Sequence, residues 1–542
     1  MPASPMPVPM RDRRPLAAVA AAGIVALLLI LPNQPGVLTP AGLRRFPLEL
    51  PLVVLALAAC PRPGAAVLRG AIAAFLTATF ALKLADLATE TAFRRPFNPV
   101  LDGNLVVAAW RLAGGAVGWP LALAAALALL AAVVLAGSLA WWATGRLAGL
   151  APPRARAVTA LLAVAALAVV LLDASGRREL PGHARTTRIA AEHVVAALDA
   201  RVDLARFRAD AAADPWAGAA PATILPGLRG TDVLVIFVES YGRSALDNPL
   251  YAATSAAALG DTGAALAAAG LAARSGFLTA PMVGGQSWLA HASLLSGLSI
   301  DNEGKYHALL RSPRRTLLHL AQAAGWTTAA VMPAITLAWP EADWFGYDRI
   351  LAAAGLDYRG APFGWVTMPD QYTLATLDRA LLAGTDRPPA MAEVALVSSH
   401  APWTPLPPLL PWDAIGDGSV FTPALAAGDP ADAVWRDDAR VREQYRRAID
   451  YSLRAVGGFA ARAGTRPRLV VVLGDHQPAA FVSGEVGGLD VPVHVIGPAP
   501  LLARLDGWGW TDGMVPNPAV PAWPMAAFRD RFLAAFGTDA ED

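Results

Sequence analysis

Cysteine and an excess of charge are what this 542-residue sequence most clearly lacks. It contains one cysteine, Cys60, so no disulfide framework can form within the chain, although a thiol-poor exported domain is compatible with an oxidising compartment. Its 44 lysines and arginines balance 43 aspartates and glutamates, which gives a formal net charge of +1. The sequence therefore gives no reason to expect a nucleic acid as a partner.

Apolar residues, in contrast, are abundant. They make up 55% of the chain, and the mean hydropathy is +0.42. A soluble protein of this length rarely averages so apolar, so part of the chain is expected to lie in lipid. The excess is concentrated in the first third of the sequence. Five stretches are predicted to span a membrane, which takes roughly 20 apolar residues each: 16–31, 48–60, 65–84, 119–143 and 157–172.

Basic residues in the short connections predict the orientation of these spans. Arg11, Arg13 and Arg14 precede the first span, and with the N-terminus inside the cytoplasmic segments hold more arginines than the opposite ones. Five spans then place the chain after residue 173 outside the cytoplasm. A cleaved signal peptide is the alternative for the first span, but no small-x-small cleavage site follows it and further spans come after it.

The composition predicts three parts. A transmembrane helical domain at 1–173 precedes an amphipathic linker at 174–228, which is expected to lie along the membrane surface or the following domain. An α/β domain fills 229–542. Near the end of the third span, Lys83 and Asp86 share a helix face, which suggests either an interfacial ion pair or a contact to a lipid headgroup.

The α/β prediction comes from short β-branched runs that alternate with helical stretches. The runs are 232–238, 393–399, 468–474 and 491–497. Each is apolar throughout, as buried parallel strands are, and the alternation predicts a doubly wound sheet with helices on both faces. In such sheets ligands gather outside the carboxyl ends of the strands.

Polar side chains lie at three of these predicted strand ends. They are Glu239 and Ser240, Ser399 and His400, and Asp475 and His476. An Asp-His pair after an apolar run is a weak signal alone. Three clusters of metal-ligand type in one domain predict a metal site much more strongly.

Four motifs resemble a known family. TDVLVIFVESYGR, GGQSWLAHASLLSG, SSHAPW and VVVLGDHQP are similar to successive motifs of the lipoteichoic acid synthase and phosphoglycerol transferase branch of the sulfatase-like, or alkaline phosphatase, superfamily. The resemblance implies Glu239, Ser287, Asp475 and His476 as metal ligands, with Ser287 also the nucleophile where the branch usually has threonine. It implies that His400 contacts the phosphoryl group or carries a proton.

The resemblance also implies the setting of the reaction. It points to one divalent metal ion. Mn²⁺ is the first candidate, and Zn²⁺ or Mg²⁺ are alternatives that the same ligands could bind. It points to a membrane phospholipid as donor and a glycan or lipid as acceptor. The location expected is the bacterial inner (cytoplasmic) membrane, with several spans and a periplasmic catalytic domain.

Each of these residues has a plainer alternative. Ser287 could cap a helix, Glu239 could pair with Arg243, and His400 could be an ordinary loop histidine. The remaining polar candidates are expected to be structural: His291 and Ser293 by packing on a helix face, His494 as a core histidine rather than a second-site contact, and Asp370 as a helix N-cap.

The sequence departs from the branch in the segment 331–351. The branch typically has a histidine and an arginine there that bind the substrate headgroup, whereas this segment has no histidine and offers Trp339, Glu341, Asp343 and Trp344. Trp339 is the candidate for substrate binding.

The favoured function is transfer of a phosphoglycerol-type group from a phospholipid to an envelope hydroxyl through a phosphoserine-type intermediate. Phosphoethanolamine transfer and hydrolysis of phosphodiesters or sulfate esters are alternatives within the superfamily. The residues after Ser287 lack the C/S-x-P-x-R context of true sulfatases. A catalytically inactive envelope assembly module is the alternative outside enzymes.

Overall fold

The computed structural model describes residues 14–37, 39, 45–93, 95–148, 150–175, 182–484 and 486–537. Arg11 and Arg13, on which the predicted orientation partly rests, lie outside these residues. The described residues up to Asp203 form one compact unit, and those from Leu204 onward form a second. The boundary falls within one helix, Arg185–Ala212, which occupies most of the predicted linker.

The first unit is helical. Its helices before the linker helix, which is α7, are α1 Arg14–Ile30, α2 Glu49–Ala59, α3 Arg62–Phe93, α4 Gly103–Val117, α5 Trp119–Leu147 and α6 Arg156–Ala174. Among the described residues, three stretches are long and apolar enough to cross a membrane: Gly64–Phe93, Trp119–Leu147 and Pro153–Ala174. The count of five spans is therefore not exact, because the first two predicted spans form shorter apolar helices, Pro15–Ile30 and Glu49–Ala59.

Lys83 and Asp86 belong to two separate buried networks, so neither interpretation from the sequence holds. The Lys83 ammonium donates to the carbonyls of Leu28 and Leu29 at 3.0 and 3.1 Å and to Thr186 Oγ1 at 2.8 Å. It thus satisfies the last carbonyls of α1, as a cation at a helix C-terminus does. The Asp86 carboxylate accepts from Asn33 Nδ2, the Phe97 backbone and His193 Nε2.

The second unit is built on a mixed sheet, whose strands in the described residues number nine. They are β1 Asp232–Val238, β2 Ala272–Thr279, β3 Thr327–Met332, β4 Arg349–Ala352, β5 Ala390–Leu396, β6 Arg468–Gly474, β7 Asp490–Gly497, β8 Thr511–Asp512 and β9 Trp523–Pro524. Their order is β4-β3-β5-β1-β6-β7-β2-β8, with β9 beside β2. The first five in this order run parallel, and β7 is antiparallel to both β6 and β2.

The sequence located β1 and β6 correctly and misjudged two other strands. The run predicted at 393–399 forms a strand three residues earlier, at β5 Ala390–Leu396, so Ser399 and His400 lie in the loop beyond its end. The strand at β7 is antiparallel rather than parallel. A strand buried on both faces is apolar throughout in either direction, so its composition does not reveal its direction.

Helices cover both faces of the sheet, as the doubly wound prediction required. In β1, Leu234 and Ile236 face one core, while Val235 and Phe237 face the other. The helices of this unit are α8 Ser244–Asp247, α9 Ala252–Ala268, α10 Ser287–Ser296, α11 Glu303–Leu309, α12 Leu317–Ala323, α13 Ala342–Phe345, α14 Asp370–Leu377, α15 Ala424–Ala427, α16 Ala431–Val434, α17 Asp438–Ala460, α18 Ala480–Ser483, α19 Ala499–Ala503 and α20 Phe528–Ala535.

Asp370 is a buried tie between elements and not the expected N-cap. The cap position of α14 is Pro369, and Asp370 is the first helical residue, with no exposed surface. Its carboxylate accepts from the backbone of Val397 and Ser398, at 2.8 Å each, and from Ser452 Oγ at 2.6 Å. Burial raises the pKa of this carboxyl group, and the hydrogen bonds oppose that shift. Asp370 thereby anchors the loop after β5 to α17.

We expect Asp370→Ala to destabilise the second unit by at least about 2 kcal/mol, because it leaves three buried donors without an acceptor. Thermal unfolding of the full-length protein in detergent, followed by tryptophan fluorescence, measures the effect. Asp413→Ala, at an exposed position, is the matched control and should leave the midpoint within about a degree. Equal midpoints for the two variants would contradict the anchoring role.

Candidate active site

Glu239 stands directly after β1, at the carboxyl edge of the parallel part of the sheet. The next residue, Ser240, has φ of 57°, a left-handed backbone conformation that residues other than glycine rarely adopt. This turn directs the Ser240 N–H to Asp475 Oδ1 at 2.8 Å. Local strain here is therefore compensated by a hydrogen bond that joins the ends of two neighbouring strands.

Asp475 and His476 follow β6, the strand next to β1. Ligand atoms of Glu239, Asp475 and His476 all lie within 4.8 Å of one another, and His476 Nε2 is 3.2 Å from Glu239 Oε1. His476 Nδ1 bonds to the Gln477 carbonyl at 2.8 Å. Because a carbonyl can only accept, Nδ1 carries a proton and Nε2 faces the cluster.

Ser287 completes the group. The turn before it has φ of 77°, 142° and 64° at Gly284, Gly285 and Gln286, and a β-bridge joins Val283 to Gln477 beside the cluster. Ser287 is the first residue of α10, and the N-cap position is occupied by Gln286. Its Oγ donates to Glu239 Oε2 at 3.0 Å and lies 3.3 Å from His476 Nε2. The N-cap alternative is therefore wrong.

Burial and proximity shift the charges of this cluster. Burial raises the pKa of the Asp475 carboxyl group to about 7, and the charge on Glu239 adds to the shift, while His476 and His291 act against it. Burial opposes ionisation of Glu239 as well, but the charges of His400 and His476 hold its pKa well below the usual range. Burial disfavours the charged form of His476, yet Asp475 and Glu239 outweigh it and raise its pKa to about 9.

The donor set fits a divalent cation. Asp475 Oδ1 accepts two backbone hydrogen bonds, whereas its buried Oδ2 has no hydrogen-bond partner among the described residues and lies 3.6 Å from His476 Nε2. An orphaned carboxylate oxygen beside a second carboxylate and an imidazole is the arrangement that a metal ion satisfies. Glu239, Asp475, His476 and the Ser287 hydroxyl would hold it. Two carboxylates, one imidazole and one hydroxyl suit Mn²⁺, Mg²⁺ or Zn²⁺.

His400 lies at the rim of the cluster. Its Nε2 is 3.9 Å from Glu239 Oε1, its Nδ1 bonds to the Ala401 carbonyl at 2.8 Å, and a third of its side chain is exposed. Glu239 does not pair with Arg243, which instead binds Asp247 at 2.7 Å and Asp490 at 3.3 Å. The alternative role proposed for Glu239 from the sequence is thus wrong.

Two other histidines differ in their surroundings. His494 is fully buried in β7, with Nδ1 bonded to Ser275 Oγ and Nε2 bonded to the Tyr241 hydroxyl, and burial lowers its pKa to about 3. It is a core histidine, as expected. His291 does pack, with its ring stacked on Phe237, but its Nδ1 also lies 2.6 Å from Glu393 Oε1.

Glu393 is the residue that the sequence reasoning missed. It lies within the predicted strand run 393–399 and was counted as part of an apolar strand. A lone carboxylate inside an apolar run was the signal that could have indicated it, since buried acidic residues need partners. Trp339, the substrate-binding candidate, stands outside the ligand cluster and packs near Phe345 and Tyr347, with ring centroids 6.1 and 5.9 Å away.

No family model and no curated protein matches the sequence. Among solved structures, the chain is similar to the lipoteichoic acid synthase LtaP from Listeria monocytogenes, with 14% identity over 50% of this chain and 66% of that one, and a TM-score of 0.34. It is also similar to the Streptococcus pyogenes phosphoglycerol transferase GacH in complex with sn-glycerol-1-phosphate, with 12% identity, 62% and 90% coverage and a TM-score of 0.35. A third is the C-terminal periplasmic domain of EcEptC from Escherichia coli, with 13% identity, 57% and 83% coverage and a TM-score of 0.36. The match spans just under two thirds of the LtaP chain, and the substrates named in these descriptions are those of the other proteins.

We expect Asp475→Asn and Glu239→Gln to weaken Mn²⁺ binding by at least about 10-fold, because each removes a negative ligand. The full-length protein is stripped with EDTA and titrated with Mn²⁺, and bound metal is measured by mass spectrometry. Wild type should also unfold at a higher temperature with Mn²⁺ than without it. Asp413→Asn, at an exposed position, is the control. Equal metal content in all variants would show that Glu239 and Asp475 are not metal ligands.

Proposed function

We propose that this chain transfers a phosphoglycerol-type group from a membrane phospholipid to a hydroxyl of an envelope glycan or lipid, through a covalent intermediate on Ser287. One observation carries the proposal: the Ser287 hydroxyl, at the start of a helix, lies within 3.3 Å of Glu239 and His476, which form one cluster of ligand atoms with Asp475. A hydroxyl in this position is set up as a nucleophile and not as a cap.

The first step makes the intermediate. Ser287 Oγ attacks the donor phosphorus, the Oγ–P bond forms, and the bond from phosphorus to the diacylglycerol oxygen breaks. Ser287 Oγ loses its proton in this step, and the departing lipid alcohol gains one, so the protons balance. When bound, a divalent cation supplies positive charge that lowers the pKa of the serine hydroxyl and stabilises the phosphoryl oxygens. The backbone N–H groups at the start of α10 favour the same negative charge.

The second step releases the product. An acceptor hydroxyl attacks the same phosphorus, the Oγ–P bond breaks, and Ser287 regains a proton in place of the one that the acceptor loses. We assign the carrying of this proton to His400, which borders the cluster and is open to solvent over a third of its side chain. Hydrolysis would differ only in having water as the acceptor.

The membrane helices favour a lipid donor. Three helices of the first unit could cross a bilayer, and such an anchor keeps the second unit near phospholipid at a high effective concentration. Within this proposal, the second unit faces the periplasmic side of the bacterial inner membrane, and the ion is Mn²⁺, with Zn²⁺ or Mg²⁺ as alternatives of the same donor chemistry.

We expect Ser287→Ala to reduce transfer by at least about 1,000-fold, because the attacking atom is gone. Membranes containing the full-length protein are incubated with a phospholipid that is labelled in its headgroup. Acid quenching should trap label on the wild-type protein and none on Ser287→Ala.

Two controls sharpen this test. Ser287→Thr should retain turnover, since threonine supplies the same hydroxyl, and Ser419→Ala changes an exposed serine. Label in a lipid or glycan acceptor indicates transfer, whereas free phosphoglycerol indicates hydrolysis. Unchanged labelling of Ser287→Ala would show that the nucleophile is misassigned.

The single cysteine permits a clean test of orientation. In a Cys60→Ala background, Asp413→Cys should react with a membrane-impermeant maleimide in intact spheroplasts, because the second unit is proposed to lie outside the cytoplasm. Ala3→Cys in the same background should react only after lysis. Reaction of Asp413→Cys only after lysis would reverse the orientation.

A further inference from the structure

Glu393 is a buried carboxylate in the interior of the sheet whose two oxygens are both engaged. It lies in β5, opposite Val235 of β1, and only 1% of its side chain is exposed. Oε1 bonds to His291 Nδ1 at 2.6 Å, and Oε2 accepts from the Tyr347 hydroxyl. Burying a carboxylate is costly, so these two bonds fix their partners firmly.

His291 is held in one orientation by this carboxylate and by its own stacking. Its ring lies 3.8 Å from the Phe237 ring at an interplanar angle of 13°. With Nδ1 bound to Glu393, Nε2 is the nitrogen left for another partner, and 12% of the side chain remains exposed. A carboxylate that anchors one nitrogen of an imidazole sets the direction of the other.

The position of His291 relates it to the nucleophile. It follows Ser287 by four residues in α10, so the Cβ atoms of the two side chains lie about 6 Å apart on one helix face. A phosphoryl group on Ser287 Oγ together with a three-carbon headgroup covers this distance, so a headgroup hydroxyl can reach the imidazole.

Tyr347, the second partner of Glu393, connects this pair to the aromatic segment. Its ring stacks on Phe345 at 5.8 Å and lies 5.9 Å from Trp339. This is the segment that has no histidine of its own. Glu393 therefore joins α10, through His291, to this aromatic segment, through Tyr347.

We propose that His291 binds the hydroxyl-bearing headgroup of the phosphodiester donor, with Glu393 as its positioning residue. This inference rests on the proposed function and adds the residue that selects the transferred group. The imidazole Nε2 can exchange a hydrogen bond with a headgroup hydroxyl. A hydroxyl can donate to Nε2 or accept from it, whereas an ammonium group can only donate, so a polyol phosphate matches the ring in either protonation state and is favoured over an aminoalcohol phosphate.

The test compares two substrates on the full-length protein: short-chain phosphatidylglycerol, and bis(p-nitrophenyl) phosphate, which has no headgroup hydroxyl. His291→Asn retains a donor near the Nδ1 position and removes Nε2. We expect the ratio of kcat/KM for phosphatidylglycerol to that for the chromogenic diester to fall about 10-fold, mainly through KM. His291→Gln, which places an amide near the Nε2 position, should restore part of the ratio.

Variants of the supporting residues complete the test. Tyr347→Phe should lower the same ratio about 3-fold, and it carries the comparison if His291→Asn does not fold. Equal losses on both substrates, or an unchanged ratio, would overturn the headgroup role and leave His291 structural. A wild type that prefers short-chain phosphatidylethanolamine would also overturn it. Absence of turnover on every substrate would instead overturn the proposed function.

Discussion

Two carboxylates and an imidazole buried within 4.8 Å of one another are stable only if a positive charge lies among them. The loops at the carboxyl ends of β1 and β6 are arranged around this constraint. Burial and the charge on Glu239 raise the pKa of Asp475, and burial of His476 is outweighed by the charges of Asp475 and Glu239, which raise its pKa, so both groups favour the protonated form. A divalent cation would supply the positive charge and would also coordinate Asp475 Oδ2, which has no hydrogen-bond partner among the described residues.

The sheet topology explains why these groups meet. β1 and β6 are adjacent and parallel, so Glu239 and Asp475 leave the sheet at the same edge. The parallel strands alone do not hold these groups together, because the segments that follow β1 and β6 continue into separate loops. Ser240 and Gln286, both at positive φ, bend the backbone so that an N–H reaches Asp475 and the Ser287 hydroxyl reaches Glu239. The strained backbone of these two residues thus places the Ser240 N–H and the Ser287 hydroxyl beside the two carboxylates.

Sequence patterns predicted the features that depend on neighbouring residues. An apolar run followed by a carboxylate located Glu239 and Asp475, because the end of a buried strand is visible in the sequence. Features that depend on distant residues were missed: the direction of β7, the anchoring contacts of Asp370 and the partners of Glu393. Each depends on which strand or helix packs alongside, and single-chain composition does not record that. Lys83 and Asp86 show the same limit, since residues sharing a helix face found separate partners.

The nucleophile helix is held by carboxylates from two adjacent strands. Glu239, after β1, accepts from Ser287 at its first residue, and Glu393, within β5, bonds to His291 one turn later. Because β1 and β5 are hydrogen-bonded along their length, the spacing of these two anchors is as rigid as the sheet. A site carried by a helix and a sheet holds its geometry better than one built on loops. The relative position of Ser287 and His291, the proposed nucleophile and the proposed headgroup-binding residue, is therefore set by the core of the fold.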